Sequence, residues 1–215
     1  MKKIIAVDGP AGAGKSTVSK ICATKLGYTY IDTGAMYRAV GLKVLSSGKS
    51  VDEDLIIEMT RDIKIELDEA ARVFLDGREV TKEIRTPEVS RAASDVAKVG
   101  FVRQKLTELQ RQMAVRGSVI MDGRDIGTQV LPNADLKIFL TASVSERARR
   151  RFEELKQKGV AANLATIEKE ITARDKQDSE REIAPLAQAE DAVLLDSTTM
   201  TIDEVVAEIL RLAKD

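Results

Sequence analysis

The segment Gly9-Pro-Ala-Gly-Ala-Gly14-Lys15-Ser16 constrains this chain more than any other. It fits the pattern G-x-x-x-x-G-K-[ST], and its setting matters as much as its letters. Before it runs a continuous apolar stretch at 4–7, as a strand buried on both faces requires. After it comes an amphipathic segment at 15–26, which Gly27 closes as a helix C-cap. Between strand and helix, glycines let backbone N–H groups converge on phosphate oxygens, and the helix N-terminus adds partial positive charge. Residues Gly9, Pro10, Ala11, Gly12, Ala13, Gly14, Lys15, Ser16 and Thr17 therefore read as a nucleotide-phosphate loop. Lys15 is expected to reach the β- and γ-phosphates of ATP, and the Ser16 hydroxyl to ligate Mg²⁺.

The rest of the chain alternates strand and helix. Apolar runs at 28–31, 119–121, 136–140 and 192–195 read as four further buried strands. Helical patterns at 35–45, from about Val144 and from Ile202 separate or follow them. Five such strands with helical crossovers predict an α/β fold, with a P-loop NTPase core of five parallel strands flanked by helices. One stretch breaks the pattern. Residues 63–67 alternate at period two, 72–75 do so weakly, and Asp76-Gly77 marks a hairpin turn before Val80. Helices follow at about 87–115. Residues 34–115 are thus expected to form an insertion containing a small antiparallel sheet, with 1–33 and 116–215 forming the core.

Composition removes several classes of function. At 215 residues, with 43% hydrophobic and 32% charged residues, the chain can bury a core without disulfides or structural metal. The formal net charge of −1 gives no general attraction for a nucleic-acid polymer. There is no histidine, which excludes Ser-His and Cys-His nucleophiles and His-ligated metals. The single cysteine, Cys22, cannot form an intramolecular disulfide and reads as a small buried hydrophobe. The apolar stretch before Asp8 is too brief for a signal peptide, and no run approaches a membrane span. A cytoplasmic, monomeric protein with no membrane partner is expected.

The chemistry left is transfer of a phosphoryl group to a small molecule. A guanine-reading N-K-x-D segment is absent. An acceptor phosphate, with a second pKa near ~6, is already a nucleophile at neutral pH, so its phosphorylation needs positioning and charge neutralisation and no general base. Arginines are spaced to supply that. Arg147, Arg150 and Arg151 fall on one helical face that could act as a lid over the phosphates, or simply be a solvated basic face. Arg174, Asp178 and Arg181 share another face, as a binding set or a salt-bridge ladder. Three readings stay open at this point: a nucleotide monophosphate kinase, another small P-loop kinase, or a module that binds ATP without turnover.

Four further segments narrow these. Asp32-Thr-Gly-Ala-Met-Tyr-Arg38, Ile84-Arg85-Thr86, Asp122-Gly-Arg-Asp-Ile-Gly-Thr128 and Ala184-Pro-Leu186, with the loop at 9–17, resemble the bacterial cytidylate kinase family in content and order. The resemblance runs from about residue 3 to 213. It implies ATP with Mg²⁺ as donor, CMP or dCMP as acceptor, a monophosphate-binding role for the insertion at 34–115, and a short lid at about 147–165. It implies that Arg38 and Arg124 hold the acceptor phosphate, with Thr33, Tyr37 and Gly123 nearby. Ser94, Arg103 and Asp125 would read cytosine. Arg174, Asp178 and Arg181 would bind the sugar and line the closing site, and Arg150 would act beside Lys15 and Arg124 at the transferred group. Apart from the resemblance, Asp122 at the end of the run 119–121 reads either as a strand-end turn residue or as a group that meets the Mg²⁺ water shell, and Asp8 reads as structural. Ala11 departs from relatives with serine there, which removes a hydroxyl from the loop. Some relatives have glycine where this chain has Ser16, so its role toward Mg²⁺ rests on general phosphate-loop chemistry.

Overall fold

The computed structural model describes residues 3–68, 70–115, 117–157 and 159–214. Met1, Lys2, Arg116 at the expected return to the core, and Lys158 within the expected lid lie outside the described residues. The chain opens with β1 (Ile4–Asp8), α1 (Lys15–Leu26), β2 (Thr29–Asp32), α2 (Thr33–Ser46) and α3 (Glu53–Arg61). Three short strands follow, β3 (Ile65–Leu67), β4 (Val73–Leu75) and β5 (Arg78–Glu79), then α4 (Pro87–Val96) and α5 (Gly100–Ala114). The remainder is β6 (Val119–Asp122), β7 (Leu136–Thr141), α6 (Val144–Gln157), α7 (Leu164–Ser179), β8 (Val193–Asp196) and α8 (Ile202–Leu212).

The five apolar runs pair as one parallel sheet in the order β2-β6-β1-β7-β8. In β1, β6 and β7 the lack of alternation has a direct cause, since both faces are covered; β8, expected to be buried, is an edge strand exposed except at Leu195. Ile5, Val7, Ile138 and Leu140 pack with Val18 and Cys22 of α1 and Val205, Val206 and Ile209 of α8. On the other face Ala6, Ile31 and Met121 pack with Ala114 and Val130. Each fully buried Ile, Leu or Val of this kind contributes about 1.5–3 kcal/mol. Cys22 sits in the first of these clusters, and burial pushes its thiol up to about 11.

The period-two stretch forms the antiparallel sheet β3-β4-β5, with Ile65 opposite Leu75. Asp76 and Gly77 turn β4 into β5 with φ of 50° and 84°, the positive values a tight hairpin demands. A third apolar cluster joins this sheet to α2, α3, α4 and α5. The helices expected at 87–115 are two: α4 ends at Val96 with Ala97 as its C-cap, and the extended backbone of Val99 leads into α5 at Gly100. Helix α2 begins at Thr33 instead of residue 35, because Asp32 caps it by accepting the Ala35 N–H at 2.8 Å.

Strands β1, β2, β6 and β8 all end in aspartate, at Asp8, Asp32, Asp122 and Asp196. In open parallel sheets ligands sit beyond the carboxyl ends of the strands, and those four residues mark that edge. No helix among the described residues is long and apolar enough to cross a membrane.

Candidate active site

The loop from β1 to α1 is held very close to β7. A Cβ on Gly9, whose φ is 146°, would lie 1.9 Å from the Leu140 carbonyl oxygen, so only glycine fits. Gly14 precedes α1 in the left-handed region, and no side chain caps the helix. Its first N–H groups are thus left for a ligand, and an anion is what the helix end favours. Lys15 is buried and donates to the Gly9 and Pro10 carbonyls at 2.7 and 2.8 Å. Burial, followed by the neighbouring Arg124 guanidinium, holds its ammonium well below the usual lysine range.

Beside the lysine, Ser16 donates its hydroxyl to Asp122 at 2.8 Å, and Tyr30 donates to the other Asp122 oxygen at 3.0 Å. Burial, then the Asp32 carboxylate, pushes Asp122 up to about 6. A hydroxyl and a carboxylate oxygen side by side are hard oxygen donors, and they fit a Mg²⁺ ion that also takes phosphate oxygens and water. Asp8 has a different job. It accepts the Ile126 and Gly127 N–H groups at 2.8 and 2.7 Å, which anchors a wide π-type turn at Ile126–Val130 directly after Asp125.

Three arginines share one neighbourhood. Arg38 reaches Asp32 at 3.0 Å, and Arg124 donates to Asp178 at 2.9 Å. Arg174 is near both and makes no ion pair among the described residues. Burial, then Arg124 with Arg38 adding to it, pulls its guanidinium down to about 10. The Nε atoms of Arg174 and Arg38 are both buried and have no hydrogen-bond partner among the described residues. Crowded cations with unmet donors have the chemistry of an anion site. Thr33 donates to the Asp122 carbonyl at 2.7 Å, and Arg85 lies 3.8 Å from Asp32.

Deeper in, Arg103 and Asp125 form a hydrogen-bonded ion pair, each with under a tenth of its side chain exposed. Arg103 also lies over the Tyr37 ring at 5.4 Å and donates to the Ala97 carbonyl at 3.3 Å. Burial pushes the Tyr37 phenol up to about 12. Ser94 stands nearby, with its hydroxyl 3.4 Å from the Ser90 carbonyl.

Two expectations about helix faces need correction. Arg174 and Asp178 lie on α7, but the helix ends at Ser179, so Arg181 does not continue their face. Ala184 turns the chain with a φ of 51°, and Arg181 donates back to the Ile183 and Ala184 carbonyls. It reaches the cleft from this loop, 3.9 Å from Asp178. Arg147, Arg150 and Arg151 do not act as one exposed face either. Arg147 is 4% exposed and bonded to the loop and to α7, while Arg150 donates to Glu146 at 2.9 Å and to the Ser197 carbonyl at 2.6 Å. Arg151 pairs with Glu154 at 2.8 Å.

A single cleft of about 940 Å³ brings together Ala11 to Thr17, Thr33, Tyr37, Arg38, Ser94, Arg103, Gly123, Arg124, Asp125, Arg150, Arg174, Asp178 and Arg181. Gly9 and Pro10 are not part of its wall and meet the site through their carbonyls to Lys15. The wall also contains residues that sequence reasoning missed, Ser197 to Met200 after β8. Their signal was available: a polar Ser-Thr-Thr run at the carboxyl end of the apolar stretch 192–195. Tyr30 and Asp175 carried no comparable signal.

A family model described as cytidylate kinase matches residues 5–215. A cytidylate kinase from Caldicellulosiruptor bescii is 58% identical, with 99% of this chain and 96% of the relative covered. One from Caldicellulosiruptor saccharolyticus is 56% identical with the same coverage. Among solved structures, a gluconokinase from Sinorhizobium meliloti 1021 shares the fold, with a TM-score of 0.52 over 99% of this chain and 93% of that chain at 17% identity.

Proposed function

The chain belongs to the cytidylate kinase family, and we propose that it transfers the γ-phosphoryl group of Mg-ATP to CMP or dCMP, yielding ADP and CDP or dCDP. One observation carries this reading above the others. Arg38, Arg124 and Arg174 share a cleft with the phosphate loop, and the buried Nε atoms of two of them have no hydrogen-bond partner among the described residues. A site for ATP alone needs no second set of cations.

In this proposal the donor phosphates take the free N–H groups of residues 12–17 and draw Lys15 from the Gly9 and Pro10 carbonyls. Ser16 would hold Mg²⁺ directly, with Asp122 meeting its water; the ion would neutralise charge on the β- and γ-oxygens. Arg38, Arg124 and Arg174 clamp the acceptor phosphate for in-line attack, so that positioning and charge replace a general base. Arg150 leaves Ser197 to meet the transferring group. Cytosine presents its N4 amino group to Asp125, while Arg103 and Ser94 donate to the other acceptors of that edge. Asp178 and Arg181 face the sugar. Residues 34–115 serve as the monophosphate-binding insertion, about 147–165 as the lid, and 1–33 with the rest of 116–215 as the core.

Calorimetry without ATP tests the acceptor site. CMP is expected to bind and cytidine, which lacks the phosphate, to bind at least about tenfold more weakly. Equal binding of the two would refute the arginine clamp.

A further inference from the structure

We infer that Arg147 and Asp175 are a positioning pair that fixes the entrance of the phosphate loop and ties it to the helix carrying the acceptor-phosphate arginine. This rests on the reading of residues 9–17 as the ATP site. The geometry centres on one peptide unit. The Ala11 carbonyl accepts from Arg147 Nη1 at 2.8 Å, and the Ala11 N–H donates to Asp175 Oδ1 at 3.3 Å. The same Arg147 nitrogen lies 2.7 Å from Asp175 Oδ2, which closes the arrangement. Arg147 Nε is anchored separately, on the Ala142 carbonyl just beyond β7 at 2.9 Å.

Both polar groups of Ala11 are thereby held by a charged pair that is itself held to the sheet. The neighbouring loop residue packs on the same side chain, since a Cβ on Gly12 would lie 3.5 Å from Arg147 Cβ. Residues 12–17, whose N–H groups receive the donor phosphates, begin at this fixed point. Asp175 adjoins Arg174, and Asp178, less than one turn further along α7, holds Arg124. One helix therefore braces the donor loop through residue 175 and the acceptor-phosphate arginines through 174 and 178. Misplacement by ~1 Å of groups that orient substrates can lower rates ~100-fold, so the brace matters to chemistry even though neither residue touches a phosphate.

Asp175→Asn keeps an acceptor for the Ala11 N–H and removes the charge that holds Arg147. Arg147→Lys keeps the charge but loses the planar fork that serves two carbonyls and a carboxylate at once. A pair that only stabilises the fold would lower Tm and leave the ligand affinities of folded protein alone. The inference predicts a split instead. In both variants, below their Tm, the Kd for Mg-ATP rises about tenfold or more while the Kd for CMP alone stays within about twofold. An unchanged Mg-ATP Kd in a folded variant overturns it. A wild-type protein that fails to bind Mg-ATP would refute the loop reading instead. Amide exchange in the wild type needs no variant: the Ala11 N–H should exchange at least about tenfold more slowly than those of Gly12 and Ala13, and equal exchange refutes the clamp.

Discussion

Replacement of Asp125 by asparagine separates base reading from stability. Asp125 and Arg103 are 7% and 5% exposed at the side chain, so both charges are buried and depend on each other. Removing one partner leaves Arg103 uncompensated, a loss of about 3–5 kcal/mol in stability. At ~2–4 °C per kcal/mol for a chain of this size, Tm should fall by roughly 10 °C. The effect on specificity has another origin. A carboxylate accepts from the cytosine amino group but meets the uracil carbonyl acceptor to acceptor. A buried mismatch of that kind discriminates by up to ~10⁴-fold, or ~5 kcal/mol. An asparagine amide can turn either its oxygen or its NH₂ to the base, so it accepts from cytosine or donates to uracil. The CMP/UMP ratio of kcat/KM, measured by coupled ADP release well below the variant's Tm, should therefore fall at least about 100-fold. Because the ratio is taken within one protein, the loss of stability cancels. A folded variant with the wild-type ratio would refute the assignment of Asp125 to the base.

Lys15→Ala should lower kcat by about 10²–10³-fold, the scale for losing one positioned charge donor, with Tm changed by only a few degrees; near-normal turnover would remove Lys15 from the reaction. Asp8 makes a pH prediction. Burial raises its carboxyl from 3.8 to about 6 against the two N–H groups it accepts. The folded protein thus holds a proton that the unfolded chain has released, and this contribution to stability is present below about pH 4 and lost as pH rises to about 6. The gap amounts to about 3 kcal/mol. Urea unfolding from pH 4 to pH 7 should show wild-type stability falling relative to Asp8→Asn across that window, and parallel curves would refute the shift.

What the sequence makes legible follows from how local each cause is. The strands at 4–7 and 119–121 are readable because burial on both faces disfavours polar residues, 136–140 is readable although it carries a buried Lys137 paired with Asp191, and the loop is readable because its glycine spacing answers to backbone geometry alone. The hairpin at Asp76-Gly77 is equally local. Helical spacing, by contrast, says which residues share a face but not what the face meets. Arg147 looks like an exposed lid arginine until α6 is laid against the loop, where it becomes a buried brace. Arg181 follows Asp178 at helical spacing, yet the helix stops at Ser179, and Arg181 comes back through contacts with the Ile183 and Ala184 carbonyls. The π-type turn at Ile126–Val130 depends on Asp8, more than a hundred residues earlier, and nothing in its own letters announces it. Asp175 is of the same kind, since its meaning comes from Ala11.

ADP formation from Mg-ATP with CMP, dCMP, UMP, AMP or no acceptor tests the proposed reaction most directly. Turnover with CMP and dCMP, far weaker with UMP and near zero without acceptor, is the expected result. Turnover with none of these acceptors, or ADP release indifferent to which is present, would contradict it.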